Sequence, residues 1–153
     1  MDRKHASNRA GTAGLPLLNI LSAFPIAFFT GALGTDIAYA QTANIMWADF
    51  SAWLLAVGEG GGVLAAFIGI IVLIANRRLT RARPIWPVVV GCVSVLITGF
   101  INNLVHSRDA WTSVMPTGLT LSAVTVVLML ITAWFGFTAA HRVVGRSSYS
   151  GAN

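Results

Sequence analysis

The chain is short of charge. Only 10% of its 153 residues are Asp, Glu, Lys or Arg, against about 25% in an ordinary soluble domain. It has 1 cysteine, Cys92, inside an apolar run. No internal disulfide can form, and a cysteine-based metal site is excluded by count. No nucleophile–base arrangement, phosphate-binding glycine loop or HExxH is present. Gly60-Gly61-Gly62 sits in hydrocarbon-like sequence, where a phosphate cradle has no place. The formal charge of +5 does not point to nucleic acid. The basic residues flank apolar runs instead of clustering with aromatics on a water-exposed face.

What the chain does have is apolar sequence, 56% of its residues, with a mean hydropathy of +0.74. That combination belongs to the membrane class, and the length allows one domain. Four runs are long enough to cross a hydrocarbon core at 1.5 Å per residue. They predict helices over about 15–40, 52–76, 84–105 and 117–141, an all-α, four-transmembrane-helix bundle occupying 15–141. Residues 1–14 and 142–153 read as disordered basic tails. The stretch 41–51, with Asn44, Trp47 and Asp49, reads as a turn or loop. Trp47, Trp53 and Trp86 suit an interfacial belt. The first run also has the outline of a secretory signal ending at Ala38-Tyr39-Ala40. Its apolar part is longer than a signal core, and Pro25 and Asp36 fit a retained helix.

Topology follows from the basic residues. Arg3, Lys4 and Arg9 precede the first helix; Arg77, Arg78, Arg81 and Arg83 lie between the second and third; Arg142 and Arg146 follow the fourth. That places 9 of the 10 basic residues on one side and leaves Arg108 on the other. The positive-inside rule then puts both termini in the cytoplasm and the Gln41 and His106 turns outside.

Polar residues inside apolar runs are the candidate functional groups. Glu59 is the sharpest, because a carboxylate at a span's centre costs about 2.5–3.5 kcal/mol on insertion scales. Asn102, Asn103 and His106 stand at the outer end of the third helix, and Asp36 and Thr117 lie on the same side. Together with Glu59 they can line an outer-side polar pocket. The alternative is interhelical glue, worth about 0.6–2 kcal/mol per hydrogen bond, and it is the favoured reading for Asn103, Ser94 and Thr98. Gly58, Gly62 and Ala66 form a small-residue seam for close helix packing. In the fourth helix, Ser122, Thr125, Met129, Thr132 and Gly136 repeat at three and four. Arg108 beside Asp109 suggests a rim ion pair.

Haem fits poorly. His106 and His141 fall at opposite ends of their spans, roughly 30 Å apart, so they cannot share one iron, and Met115 is the remaining partner for His106. No cofactor is expected. Asp36, Glu59, His106 and Asp109 have metal-ligating chemistry but no diagnostic spacing, so no metal is expected either.

The order of several motifs resembles a known family. They are Phe24-Pro25 followed by Thr35-Asp36, the second helix beginning WLLAVGEGGGVLAA, and the Arg108-Asp109 turn. Pro116 to Ser122 follows as P-T-G-L-x-L-S, and Trp134 to Arg142 closes the chain with W-F-G-F and a His-Arg end. Over roughly Leu15 to Arg146 the chain is similar to the bacterial membrane proteins called domain of unknown function 2231. The resemblance implies a four-helix membrane domain without an established activity, in the bacterial cytoplasmic (inner) membrane. Some relatives are fused to Rieske-type or cytochrome-like domains, which implies an electron-transfer setting. Many carry a His beside a Pro at the start of the first helix; here Leu15-Pro16 stands there, so that His is absent.

Three functions are then open. The first, and preferred, is a non-enzymatic accessory or structural membrane subunit. The second is a redox-associated protein binding haem or quinone at the outer pocket. The third is a small proton-coupled transporter centred on Glu59, disfavoured by the lack of inverted repeats or paired broken helices. The bilayer is the expected surrounding, with a homo-oligomer or a membrane redox partner as candidate protein contacts.

Overall fold

The computed structural model describes the backbone of residues 3–75, 85–108 and 113–150, and the side chains of 20–75, 85–108, 113–136 and 138. Its helices are α1 (Arg3–Thr42), α2 (Ile45–Ala75), α3 (Trp86–His106) and α4 (Leu119–Ser150). A wide helical turn, Val114–Gly118, leads into α4. Within them, Ile20–Thr42, Ile45–Ala75, Trp86–His106 and Val114–Gly136 are long and apolar enough to cross a membrane. Each helix packs on its sequence neighbours, and α4 closes the ring onto α1. The result is an up-down-up-down bundle. One end carries the 43–44 and 107–113 connections and is called the turn end below; the other carries the connection between α2 and α3.

Burial follows a three-and-four repeat on every helix. The buried positions are Phe29, Ala32, Asp36 and Tyr39 on α1, and Ala48, Ser51, Leu55, Gly58, Gly62 and Ala65 on α2. On α3 they include Val95, Gly99, Asn102 and His106, and on α4 Gly118, Ser122, Thr125 and Met129. That spacing is the seam of a left-handed bundle. The opposite faces are bulky and apolar, with Phe67, Ile74, Leu104 and Leu130 exposed. Such surface is lipid-facing in a bilayer and an aggregation hazard only in water. The core is built of Phe29, Ala32, Leu55, Val95 and Met129, with Tyr39, Ala48 and Val114 forming a second cluster.

The small residues of α2 let its neighbours approach closely. A Cβ on Gly58 would lie 3.1 Å from Phe28 Cβ and from the Phe29 ring. One on Gly62 would lie 2.8 Å from Leu96 Cδ2 and 3.7 Å from Pro25 Cβ. Gly58 and Gly62 therefore pack inside the bundle against α1 and α3. Ala66 is half-buried and the seam runs on through Ala65 instead. The α4 stripe is buried as the spacing predicts through Ser122, Thr125 and Met129.

The structure corrects the expected loop at 41–51. Only Ala43 and Asn44 leave the helix there. Ala43 takes a left-handed φ of 51°, and its N–H donates to Tyr39 O at 2.8 Å, closing α1. Asn44 Oδ1 accepts from Met46 N at 3.1 Å and opens α2. Polar Asp49 suggested a loop, but it lies on the exposed flank while Ala48 and Ser51 point inward. Because α2 starts at Ile45, Glu59 stands near its midpoint, roughly 21 Å from its first residue, and not near its outer end.

The terminal stretches expected as tails carry helical backbone, since α1 starts at Arg3 and α4 ends at Ser150. Extending an existing helix adds a hydrogen bond per residue without a new nucleation cost. At the start of the fourth span, Met115 is extended (φ −109°, ψ 130°), and the Met115–Pro116 bond is cis. The basic stretch 77–83 and the Arg108–Asp109 pair involve positions outside the described residues.

Candidate functional site

Asp36 is the centre of the turn-end cluster. It occupies the buried face of α1, one turn beyond Ala32, with 0% of its surface exposed. Its Oδ1 lies 2.9 Å from His106 Nε2, at the last residue of α3. Its Oδ2 accepts from Ser122 Oγ on α4 at 2.5 Å. Ser122 Oγ in turn accepts from Asn102 Nδ2 at 2.8 Å. His106 Nδ1 is 3.1 Å from the Asn102 carbonyl oxygen. Four side chains from three helices thus form one network. Gly118 makes it possible: a Cβ there would lie 2.6 Å from His106 Cε1 and 2.5 Å from Ser113 O.

The proton count follows from the acceptors. A carbonyl oxygen can only accept, so Nδ1 of His106 carries a hydrogen. The contact between Nε2 and Asp36 Oδ1 then holds one further hydrogen, on either atom. In both arrangements the pair is neutral overall. A neutral pair with its hydrogen bonds made is what a buried membrane site tolerates. Ser122 gives its hydrogen to Asp36 and not to the imidazole, so it is not an activated nucleophile.

Glu59 belongs to a different level. Its Oε2 is buried with no hydrogen-bond partner, and a Cβ on Gly99 would lie 2.6 Å from that oxygen and 2.9 Å from Phe29 Cζ. Gly99 is one helical turn below Asn102 and about two below His106. Asn102 Oδ1 is likewise buried without a partner.

The expected single pocket therefore divides. Asp36, Asn102 and His106 come together; Glu59 sits deeper and makes no hydrogen bond to them. Asn103, next to Asn102 and so about 100° round the helix, is half-buried and outside the network. Thr117 is exposed, because the wide turn at Val114–Gly118 carries it to the outside. The glue role expected of Thr98 is also corrected: its hydroxyl returns to Ser94 O of its own helix at 2.8 Å.

Two residues that matter here carry little signal in the sequence. Ser122 was visible only as a seam position. Ser51, inside the presumed loop, is buried and bonds Thr35 Oγ1 across the α1–α2 interface at 2.6 Å. Extending the Leu55–Gly58–Gly62 spacing backwards by three and four would have pointed to Ser51 and Ala48.

Among the described residues no group of three or more His, Cys, Asp or Glu could hold a metal ion. Both ring nitrogens of His106 are engaged, with Asp36 and with the Asn102 carbonyl, and Met115 stands exposed in the turn. The side chains of His5 and His141 are outside the described residues.

A family model described as predicted membrane protein, domain of unknown function 2231, matches residues 14–147. No curated protein and no solved structure is significantly similar to the chain.

Proposed function

The chain belongs to that family of predicted membrane proteins, and we propose that it serves as a non-enzymatic accessory or structural subunit of a membrane assembly. The observation that carries this reading is the closure of the turn-end network. Asp36 and His106 have side chains with 0% exposure and spend their polar atoms on each other and on Ser122 and Asn102. What the bundle offers outward is apolar helix surface. Such a module holds a place in the bilayer and packs on neighbours, either copies of itself or a membrane redox protein.

Its proposed location is the bacterial cytoplasmic membrane, with both termini in the cytoplasm. The 9 basic residues on one side, against Arg108 on the other, support that orientation. Reporter fusions at Asn153 and within 107–113 test it: the first should report cytoplasm and the second the opposite side.

The accessory role is tested by native mass spectrometry from mild detergent, paired with reconstitution of the chain alone. The expected result is a stoichiometric assembly larger than one chain, and liposomes that show no solute flux. A monomer that moves a solute or turns over a substrate unaided would overturn it.

A further inference from the structure

We propose that half-buried Glu59 of α2 and Asn102 of α3 form a reversible proton-binding site between these two helices, with Glu59 Oε2 carrying the proton and Asn102 Oδ1 accepting its hydrogen bond.

The first ground is that both oxygens are buried and unpartnered. A buried acceptor left unsatisfied is costly, and one hydrogen shared between two such acceptors would satisfy both. Gly99 of α3 sets how near they lie. Glu59 Oε2 lies 2.6 Å from the place where a Cβ of Gly99 would sit, and residues three apart on a helix have Cβ positions about 5–6 Å apart. Asn102 is three residues beyond Gly99 on the same helix.

The second ground is the orientation of the Asn102 amide. Its Nδ2 donates to Ser122 Oγ, and Ser122 gives its own hydrogen to Asp36. Reversing the amide would set Oδ1 against a hydroxyl with no hydrogen left to give. The network at the turn end thus fixes Asn102 with Nδ2 on Ser122 and Oδ1 turned away from it, left as a free acceptor. Donation through Nδ2 also polarises the amide and strengthens Oδ1 as an acceptor.

The third ground is size. Phe29, Gly99 and the Glu59 carboxyl already fill the space at this level, and two free oxygens do not make the oxygen cage that a metal cation requires. A proton needs neither room nor a cage. It comes from water and returns to water, converting the Glu59 carboxylate to the acid and back.

Other charges do not compete for Glu59. In the span of α1 the titratable groups are Asp36 and Tyr39; on α3 they are His106 and Cys92. Asp36 and His106 are committed to each other, Tyr39 is buried among Ala48 and Val114, and Cys92 is exposed. The described span of α4 carries none, and on α2 itself Asp49 is exposed near the turn end.

Infrared spectroscopy of the full chain in nanodiscs tests the proposal without reference to any assembly partner. The expected result is a protonated carboxyl C=O band that disappears as pH is raised, shifts in D2O, and is absent in Glu59→Gln. Any acid band that survives in Glu59→Gln is assigned to the Asp36–His106 pair. Asn102→Leu should move the Glu59 band to higher wavenumber. Where that variant fails to fold, the same question is put to wild type with dicyclohexylcarbodiimide, an apolar reagent for protonated carboxyls, which should label Glu59 at low pH and lose labelling as pH rises. Absence of a Glu59 acid band at every pH overturns the proposal. So does loss of band and labelling on adding sodium at fixed pH, which would make the site a metal-cation site.

Discussion

Among the described residues two carboxyls, Asp36 and Glu59, hold buried oxygens about two helical turns apart in depth, and their surroundings are opposite. Asp36 is met by an imidazole and a hydroxyl from two other helices. Glu59 is met by the missing side chain of a glycine and the edge of Phe29. One is the knot that joins α1, α3 and α4; the other holds an oxygen in the core with nothing bonded to it. The contrast teaches that an acid inside a span is not one kind of feature. Its meaning depends on which donors the facing helices bring to its depth.

The sharpest way to break this comparison is to make the same chemical change at both levels, carboxyl to amide. Asp36→Asn keeps an acceptor for Ser122 but removes the carboxyl that shares a hydrogen with His106 Nε2, and so disrupts a buried pair. Breaking such a pair costs about 3–5 kcal/mol. Reversible unfolding of the purified protein in bicelles should show a loss of that order, and a loss below about 1 kcal/mol would mean the network is decorative.

The sequence shows part of this contrast. The four spans, the packing glycines Gly58 and Gly62, and the α4 stripe through Ser122 and Thr125 follow from hydropathy and three-and-four spacing, which are properties of one helix at a time. Asp36 and His106 are visible as unusual residues in apolar surroundings. Their pairing is not visible, because it joins positions 70 apart and depends on the relative height and rotation of α1 and α3. The misplaced loop at 41–51 had a direct consequence. With Ile45 to Ser51 as loop, Glu59 falls into an outer-side pocket, whereas an uninterrupted α2 places it near mid-helix. Seven residues of helix, 45 to 51, amount to roughly 10 Å of depth, enough to move a residue from rim to centre.

The two levels can be compared next through their glycines. Gly118→Ala would drive a methyl onto Ser113 O and His106 Cε1, and the first of these is backbone. Gly99→Ala meets the end of the Glu59 side chain and the Phe29 ring. Overpacking of this kind costs about 1–3 kcal/mol. Gly118→Ala should fall at the upper end, because a backbone carbonyl held by a turn gives little. Gly99→Ala should fall at the lower end, since the carboxyl can swing aside. The reverse ranking in unfolding measurements would show that the Glu59 level is the more tightly built.

A smaller effect calibrates both. Thr35 and Ser51 share a hydrogen bond across α1 and α2 with no charge involved. A double-mutant cycle of Thr35→Val and Ser51→Ala should return a coupling of about 0.6 kcal/mol, the usual scale for hydrogen bonds between membrane helices. Coupling near zero would assign the α1–α2 contact to Gly58 and Phe29 packing alone.

The smallest change is expected at Glu59 itself. Glu59→Gln keeps the volume and removes no bonded partner, so its effect on unfolding should lie within about 0.5 kcal/mol of wild type. The new amide can turn its Nε2 toward Asn102 Oδ1 and make with a neutral donor the bond that the carboxyl makes only when it carries a proton. Stability should therefore be little changed and, unlike wild type, insensitive to any pH step that belongs to Glu59. Measured beside Asp36→Asn, the ratio of the two effects is the quantity to watch. A large ratio keeps the division between a structural knot and a proton-accepting level. If Glu59→Gln costs as much as Asp36→Asn, then Glu59 has a partner equal to His106, and the two levels are one network.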